Sequence, residues 1–276
     1  MRKLLRANFS RLWTDKAFLL SAAVMFLMGA MLPVIHYIDN RDSGAAWTAD
    51  STAFTYISFV PVVLSVLTAL FVGCEYSDGT MRSKIIAGHR RGSIYIANLI
   101  VCTAAGGVLC LAYIAPHTCL GFVLLGGFEA EIQTILLCTG LGFALVGAFA
   151  ALFTLIAMLC RSKAYSTAAC ILLAFALLFA GVHIVSALNE PEYHQAYSYT
   201  ENGVTVSGEE ERNPAYLSGA KRQLYEFLND FTPGGQAIKL GNMNTEHAAL
   251  LALYDGIIIL AATACGVVLF RRKDLK

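Results

Sequence analysis

The sequence predicts an all-α polytopic membrane protein: six transmembrane helices, an N-terminal interfacial amphipathic helix, and a helical extracellular segment between spans 5 and 6. Three observations predict it. Charged residues make up 14% of the chain, against about 25% in a globular domain. Several apolar runs reach about 20 residues, the length a helix needs to cross roughly 30 Å of hydrocarbon. The remaining charge is segregated by sign between alternate connectors, which is the pattern that orients membrane helices.

Residues 1–16, MRKLLRANFSRLWTDK, form the first element. Leu5, Phe9, Leu12 and Trp13 recur at helical spacing, and Arg2, Lys3, Arg6, Arg11 and Lys16 lie mostly off that stripe. A basic amphipathic helix of this kind lies in the headgroup plane of an anionic, cytoplasmic leaflet. It is too long and too amphipathic for the charged region of a cleavable signal. The six-span domain follows over 17–276, with spans at about 17–38, 53–73, 95–125, 132–160, 164–187 and 249–270. The third run is too long for an upright helix; Pro116 is expected to kink it and Gly126–Gly127 to stop it. Spans 4 and 5 are separated only by Arg161, Ser162 and Lys163.

Placing residues 1–16, 74–94, 161–163 and 271–276 on one side gives that side 15 of the 20 Lys/Arg and 4 of the 19 Asp/Glu. The other side keeps 5 Lys/Arg and 14 Asp/Glu, with Asp255 inside the last span. Basic residues mark the cytoplasm, so both termini are expected there. The outer segment, 188–248, opens a helix at Asn213-Pro214. Leu217, Ala220, Leu224, Phe227, Leu228 and Phe231 then make an apolar stripe, and Pro233-Gly234-Gly235 end it. Such a helix needs an apolar partner, so it lies on the outer leaflet or dips between spans to cap a path. The eight cysteines fall within or at the ends of apolar runs, with no ligand spacing. They read as small buried apolar residues.

The connector 74–94 carries the densest charge between two spans. Asp78-Gly79 reads as a turn, Thr80 as the cap of a short helix through Met81–Ala87, and Gly88 as its terminator. Met81, Ile85 and Ile86 give that helix a small apolar face. It is either a solvated loop whose cations fix topology, or a docking element that fits a groove on a cytosolic partner.

The stretch EYSDGTMRSKIIAGHRRGSIYIANL resembles the first cytoplasmic loop of the type 2 family of ATP-binding-cassette exporter permeases. Glu75, Tyr76, Gly79, Thr80, Arg82, Gly88 and Arg91 match that family's pattern in order and spacing. Arg90 stands where the family usually has a small or hydroxyl residue, and Asn98 where a lysine is common. The segment DFTPGGQAI, the six-span layout and the FRRKDLK ending are also similar to it. The resemblance implies a permease subunit of an ATP-driven exporter, two copies or two related permeases pairing around a path. Each would dock its 74–94 loop on a separate ATPase subunit, with Glu75, Tyr76, Gly79, Thr80, Arg82, Ile85, Ile86, Gly88 and Arg91 in the joint. ATP and magnesium would belong to that ATPase. No cofactor and no nucleic-acid partner are expected here. The chain carries no GxxxxGK[ST] phosphate loop, so ATP hydrolysis must come from another polypeptide. The implied location is a plasma membrane of bacterial type.

Asp255 is the one acid well inside an apolar run. Intramembrane acids mark pathways or gates, although this one lies near enough to the outer interface to be hydrated. His36, His117 and His183 each fall near the outer end of an odd-numbered span; a shared metal or proton site competes there with ordinary hydrogen-bonded interfacial histidines. The small residues Gly140, Gly142, Ala144, Gly147, Ala148 and Ala151 read as a packing face. A secondary transporter or channel is the competing function, and Asp255 alone hints at it. An intramembrane enzyme finds no support, because no HExxH, paired intramembrane carboxylates or nucleophile elbow occur. The apolar spans suit lipids, drugs or amphipathic, including antimicrobial, peptides.

Overall fold

A computed structural model describes residues 1–195, 198–201, 204–207 and 210–273. Asp274, Leu275 and Lys276 of the basic C-terminal segment lie outside the described residues, as do residues 196–197, 202–203 and 208–209 of the outer segment. Helix α1 (Arg2–Thr14) leads into α2 (Lys16–Ser43) through Asp15, whose carboxylate accepts from the Ala17 amide at 2.7 Å and caps α2. A single turn, α3 (Asp50–Ala53), precedes α4 (Tyr56–Ser77), and the short α5 (Thr80–Ile86) leads to α6 (Arg91–Leu125). Then come α7 (Ile132–Leu159) and α8 (Lys163–Leu188). After the outer segment the chain crosses once more as α11 (Ala248–Arg272).

Six helices are long and apolar enough to span a membrane among the described residues. They sort into two classes. The most apolar windows of the spans at α4, α6 and α7 are 61%, 61% and 72% buried, whereas those of α2, α8 and α11 are each 22% buried. The first three therefore form an inner layer, and the others pack on it: α2 along α6, α8 along α4, and α11 along α7. The inner layer meets through Tyr56, Tyr113, Phe149 and Phe153, all fully buried. Tyr113 donates to the Thr52 carbonyl at 2.7 Å, which fixes α3 against α6.

Several details differ from the sequence expectation. Helix α6 keeps Pro116 inside one continuous helix and stops at Gly126 in the left-handed conformation, as expected of that glycine; the departures lie elsewhere. Helix α1 buries Leu4, Asn8 and Leu12 against the bundle, and leaves Trp13 57% exposed. Of the cysteines, Cys102, Cys110, Cys138 and Cys170 are buried as expected, but Cys119 and Cys265 are exposed. The outer segment begins with four short strands, β1 (Tyr193–Gln195), β2 (Ser198–Glu201), β3 (Val204–Ser207) and β4 (Glu210–Arg212), which pair β1 with β4 and β2 with β3. Helix α9 (Gly219–Phe231) starts after Asn213-Pro214, because Asn213 turns its side chain onto the Ala215 amide at 2.9 Å instead of capping a helix. The apolar helix ends at Phe231, just before Pro233, as expected, but Pro233 also opens a further helix, α10 (Pro233–Gly241), where its fixed φ suits the first turn. Helix α10 sinks between α8, α7 and α4, with Gly234, Gly235, Gln236 and Ala237 buried.

Candidate functional site

The charge-rich connector is built by one helix overrunning its span and another starting late. Helix α4 continues through Glu75 and Tyr76 to Ser77. Gly79 and Gly88, at φ +68° and +84°, reverse the chain on either side of α5, a conformation that costs other residues energy. Gly79 rather than Thr80 is the cap of α5; Thr80 is its first residue and helps close the turn by donating to the Glu75 carbonyl at 3.2 Å.

Glu75 is fully buried. An uncompensated carboxylate there would cost several kcal/mol, and three elements compensate it. Arg11 of α1 approaches to 2.8 Å, Lys84 of α5 makes a close ion pair, and Asn98 of α6 donates at 3.2 Å. A second tier holds these groups in place. Asn8 donates to Asn98 at 2.6 Å and accepts from Lys84 at 2.9 Å, while Arg11 stacks 3.7 Å over the Phe71 ring. Burial pushes the Lys84 ammonium below its ordinary range despite the pull of Glu75. The sequence gives no sign that Asn8 and Arg11 of α1 and Lys84 of α5 belong to this site, since polar groups on separate elements share no spacing.

Tyr76 and Arg91 make a second knot. Tyr76 donates its hydroxyl to the Met158 carbonyl, the end of α7, at 2.5 Å. Lys273, just past α11, donates to that carbonyl at 2.9 Å and to the Tyr76 oxygen at 3.0 Å. Arg91 in turn donates to the Arg271 carbonyl at 3.0 Å and to that of Lys273. Cations thus cap the C-termini of α7 and α11, where the helix dipole is negative. Burial, reinforced by Arg161, pushes Lys273 down to about 8. Below that pH both folded and unfolded chains hold the proton, and between about 8 and 10.4 only the unfolded chain does. Stability contributed by this group therefore rises with pH across that window. We expect Lys273→Met to flatten the rise, as thermal midpoints at about pH 7 and about pH 9.5 would read out.

The other face of α5 is bare. Arg82 is exposed and Ile86 is 86% exposed, while Met81 beside them is buried and Ile85 half-buried against the core. The nine residues of the expected joint thus divide. Glu75, Tyr76, Ile85 and Arg91 face inward, Gly79 and Gly88 shape the turns, and Thr80, Arg82 and Ile86 lie at the surface. The N-terminal helix, the 161–163 hairpin and the start of the basic C-terminal segment gather at the same end, with Lys163 donating to the Cys74 sulfur at 3.3 Å.

Asp255 is 1% exposed, and neither carboxylate oxygen has a partner among the described residues. Asp255→Asn removes a carboxylate that nothing offsets. Its thermal midpoint is expected to hold or rise; a clear fall would reveal a stabilising partner for the charge. The histidines do not form a trio. His117 of α6 lies 3.0 Å from Thr52 Oγ1 of α3, His36 packs on Trp47, and His183 is exposed on α8, which packs on α4 and α10. No group of His, Cys, Asp and Glu suited to a metal occurs among the described residues.

The model of a family described as ABC-2 family transporter protein matches residues 4–181, from α1 through Gly181 of α8 and including the whole connector. The chain belongs to the ABC-2 transporter family. No curated protein matches it. As an ABC-2 permease, it is a multi-pass membrane component of a transporter, and its matched region contains the whole Glu75 knot and, of the second knot, Tyr76, Arg91 and Met158.

Proposed function

We propose that this ABC-2 permease is the membrane-spanning subunit of an ATP-driven exporter, paired with a second copy or a related permease and powered by a separate ATPase that binds ATP and magnesium. The observation that carries this reading is the two-sided α5. Its inner face is tied to four other helices through Glu75, and its outer face offers a bare isoleucine beside an arginine. A partner that grips Ile86 and Arg82 would move α1, α4, α6 and, through Asn98 and Met158, α7 as one body. Tyr76, Lys273 and Arg91 extend the same body to α11. The basic end is cytoplasmic by the charge rule, which puts both termini inside a bacterial-type plasma membrane.

The thinly buried α2, α8 and α11 offer apolar faces for lipid and for the second permease. Apolar spans with few fixed charges favour an amphipathic or antimicrobial peptide, a lipid or a hydrophobic drug as cargo. ATP-independent secondary transport is the alternative, favoured only by the unpartnered Asp255 carboxylate. Arg82→Ala with Ile86→Ala tests the reading. Both residues are at the surface, so stability is expected to change by less than about 0.5 kcal/mol. ATPase co-purification and transport are expected to fall at least about tenfold, equivalent to ~1.4 kcal/mol of docking energy. Undiminished ATPase retention, or transport that runs on a proton gradient with no ATPase bound, would refute the exporter reading.

A further inference from the structure

At the opposite end of the bundle a pocket of about 170 Å³ opens between the ends of α8, α9 and α10. Four asparagines line it, Asn189, Asn229, Asn242 and Asn244, together with Lys239. The Asn229 Oδ1 atom is buried and has no hydrogen-bond partner among the described residues. The side chains of Asn189 and Asn242 are exposed and make no hydrogen bond among the described residues. The Asn244 side-chain oxygen is engaged by the Glu246 amide at 2.9 Å, and its NH2 group makes no hydrogen bond among the described residues. Each free carboxamide carries two donors and an acceptor. A row of them is matched by a ligand that both donates and accepts at closely spaced positions.

Electrostatics narrow the class. The one cation in the lining is already neutralised, because Lys239 pairs with Asp230 at 2.7 Å, and the other oxygen of Asp230 lies 3.0 Å from the ring of His247. Asn189 and Asn242 are the C-cap residues of α8 and α10. Two helix C-termini, each worth about half a negative charge, therefore point at the site and disfavour phosphate or carboxylate. Several carbonyls of those last turns, such as those of Ile238, Lys239 and Leu240, already accept one backbone amide, and the second lone pair of each can still accept a hydroxyl donor. At roughly 30 Å³ per water molecule, the space holds several waters or one small ring. Val185 and Leu188, in the last turn of α8, form an apolar wall at the level where the span leaves the membrane. Beside it, α9 carries Leu224 and Phe227 at 54% and 47% exposure, an apolar face suited to the lipid boundary.

We propose that this pocket binds an uncharged polyhydroxyl group, a single sugar ring or cyclic polyol, presented at the membrane surface by a glycolipid headgroup or reaching it as a free saccharide. This reading does not depend on the ATPase partner or on the direction of transport. The test uses the full-length protein in nanodiscs of phosphatidylglycerol, with and without monoglucosyl diacylglycerol, and counts retained lipids by native mass spectrometry. Methyl glucoside in solution provides the second arm, read by calorimetry. We expect glycolipid enrichment over phosphatidylglycerol, reduced at least about tenfold in Asn189→Ala with Asn242→Ala by the loss of two hydrogen-bonding groups. Neither position has a left-handed backbone, so the double variant is expected to keep the wild-type thermal midpoint. Binding of methyl glucoside with the same sensitivity would assign the site to soluble saccharides. Retention of neither probe by the wild-type protein, preferential retention of phosphatidylglycerol, or undiminished retention by the double variant would overturn the proposal.

Discussion

Glu75→Ala is expected to destabilise the folded protein by about 3 kcal/mol, the lower end of the range for breaking a buried ion pair. The lower end applies because the two cations left behind differ in exposure. The Arg11 side chain is 31% exposed and can rehydrate, whereas Lys84 is only 15% exposed and is stranded. The loss extends beyond the charge pair, since Asn98 gives up the acceptor that orders its amide between Glu75 and the Met158 sulfur. Glu75→Gln keeps an acceptor for Asn98 and removes only the charge, so it should fall between wild type and Glu75→Ala. Thermal midpoints in detergent, with size-exclusion profiles to follow the folded fraction, measure this. The contrast with the surface pair Arg82 and Ile86 is the informative part. Glu75→Ala lowers stability and coupling together, whereas the surface substitutions lower coupling alone. Equal stability of Glu75→Ala and wild type would mean that the buried carboxylate is not the tie among these helices.

Gly234→Ala is expected to cost about 3 kcal/mol or more, the upper range for overpacking. A Cβ there would lie 1.7 Å from the Leu177 carbonyl oxygen, and one on Gly181 would lie 2.3 Å from the Gly234 carbonyl. Both obstacles are backbone, so no rotamer change relieves them, and α10 must leave its seat between α8 and the inner layer. The variant should lose midpoint or fail to accumulate as a monodisperse species. Gly256→Ala is the matched control. No atom lies within 4 Å of its added Cβ, and replacing a mid-helix glycine is worth up to ~1 kcal/mol in favour of the helix. A tolerated Gly234→Ala beside a normal Gly256→Ala would show that α10 is not seated in the bundle.

The six spans were legible in the sequence because hydrocarbon imposes a length and excludes charge, and both signals are local. The clustering of the basic segments at one end was legible for the same reason, through sign segregation. The short helix 80–86 was legible from its glycines. What that helix touches was not. Glu75 reads as a loop carboxylate on an interfacial connector, yet it is buried because α1 folds under the bundle and brings Asn8 and Arg11 to it. In α1 the predicted stripe of Leu5, Phe9, Leu12 and Trp13 holds in part: Leu12 is buried and Leu5 and Phe9 pack against the core, but Leu4 and Asn8 join Leu12 in the buried set and Trp13 is exposed. The cause is that the helix packs on protein through an asparagine, which an apolar count discards. Asn98 stands where the resemblance implied a lysine; the charge that meets Glu75 comes instead from Lys84 and Arg11. The stop after Phe231 was legible from Pro233-Gly234-Gly235, but not the start of α10 at the same proline, because Pro both stops helices and starts them. Only tertiary packing of Gly234 on Leu177 selects the second role.

The most direct test of the account is reagent access to α5 in oriented membrane vesicles. With the eight native cysteines replaced, a cysteine is placed at Ile86 or, separately, at Glu75. A membrane-impermeant maleimide applied from the cytoplasmic side should label Ile86→Cys rapidly and Glu75→Cys slowly, and a co-expressed ATPase should protect position 86. Labelling of position 86 from the exterior, or equal labelling of both positions with no protection by the ATPase, would contradict it.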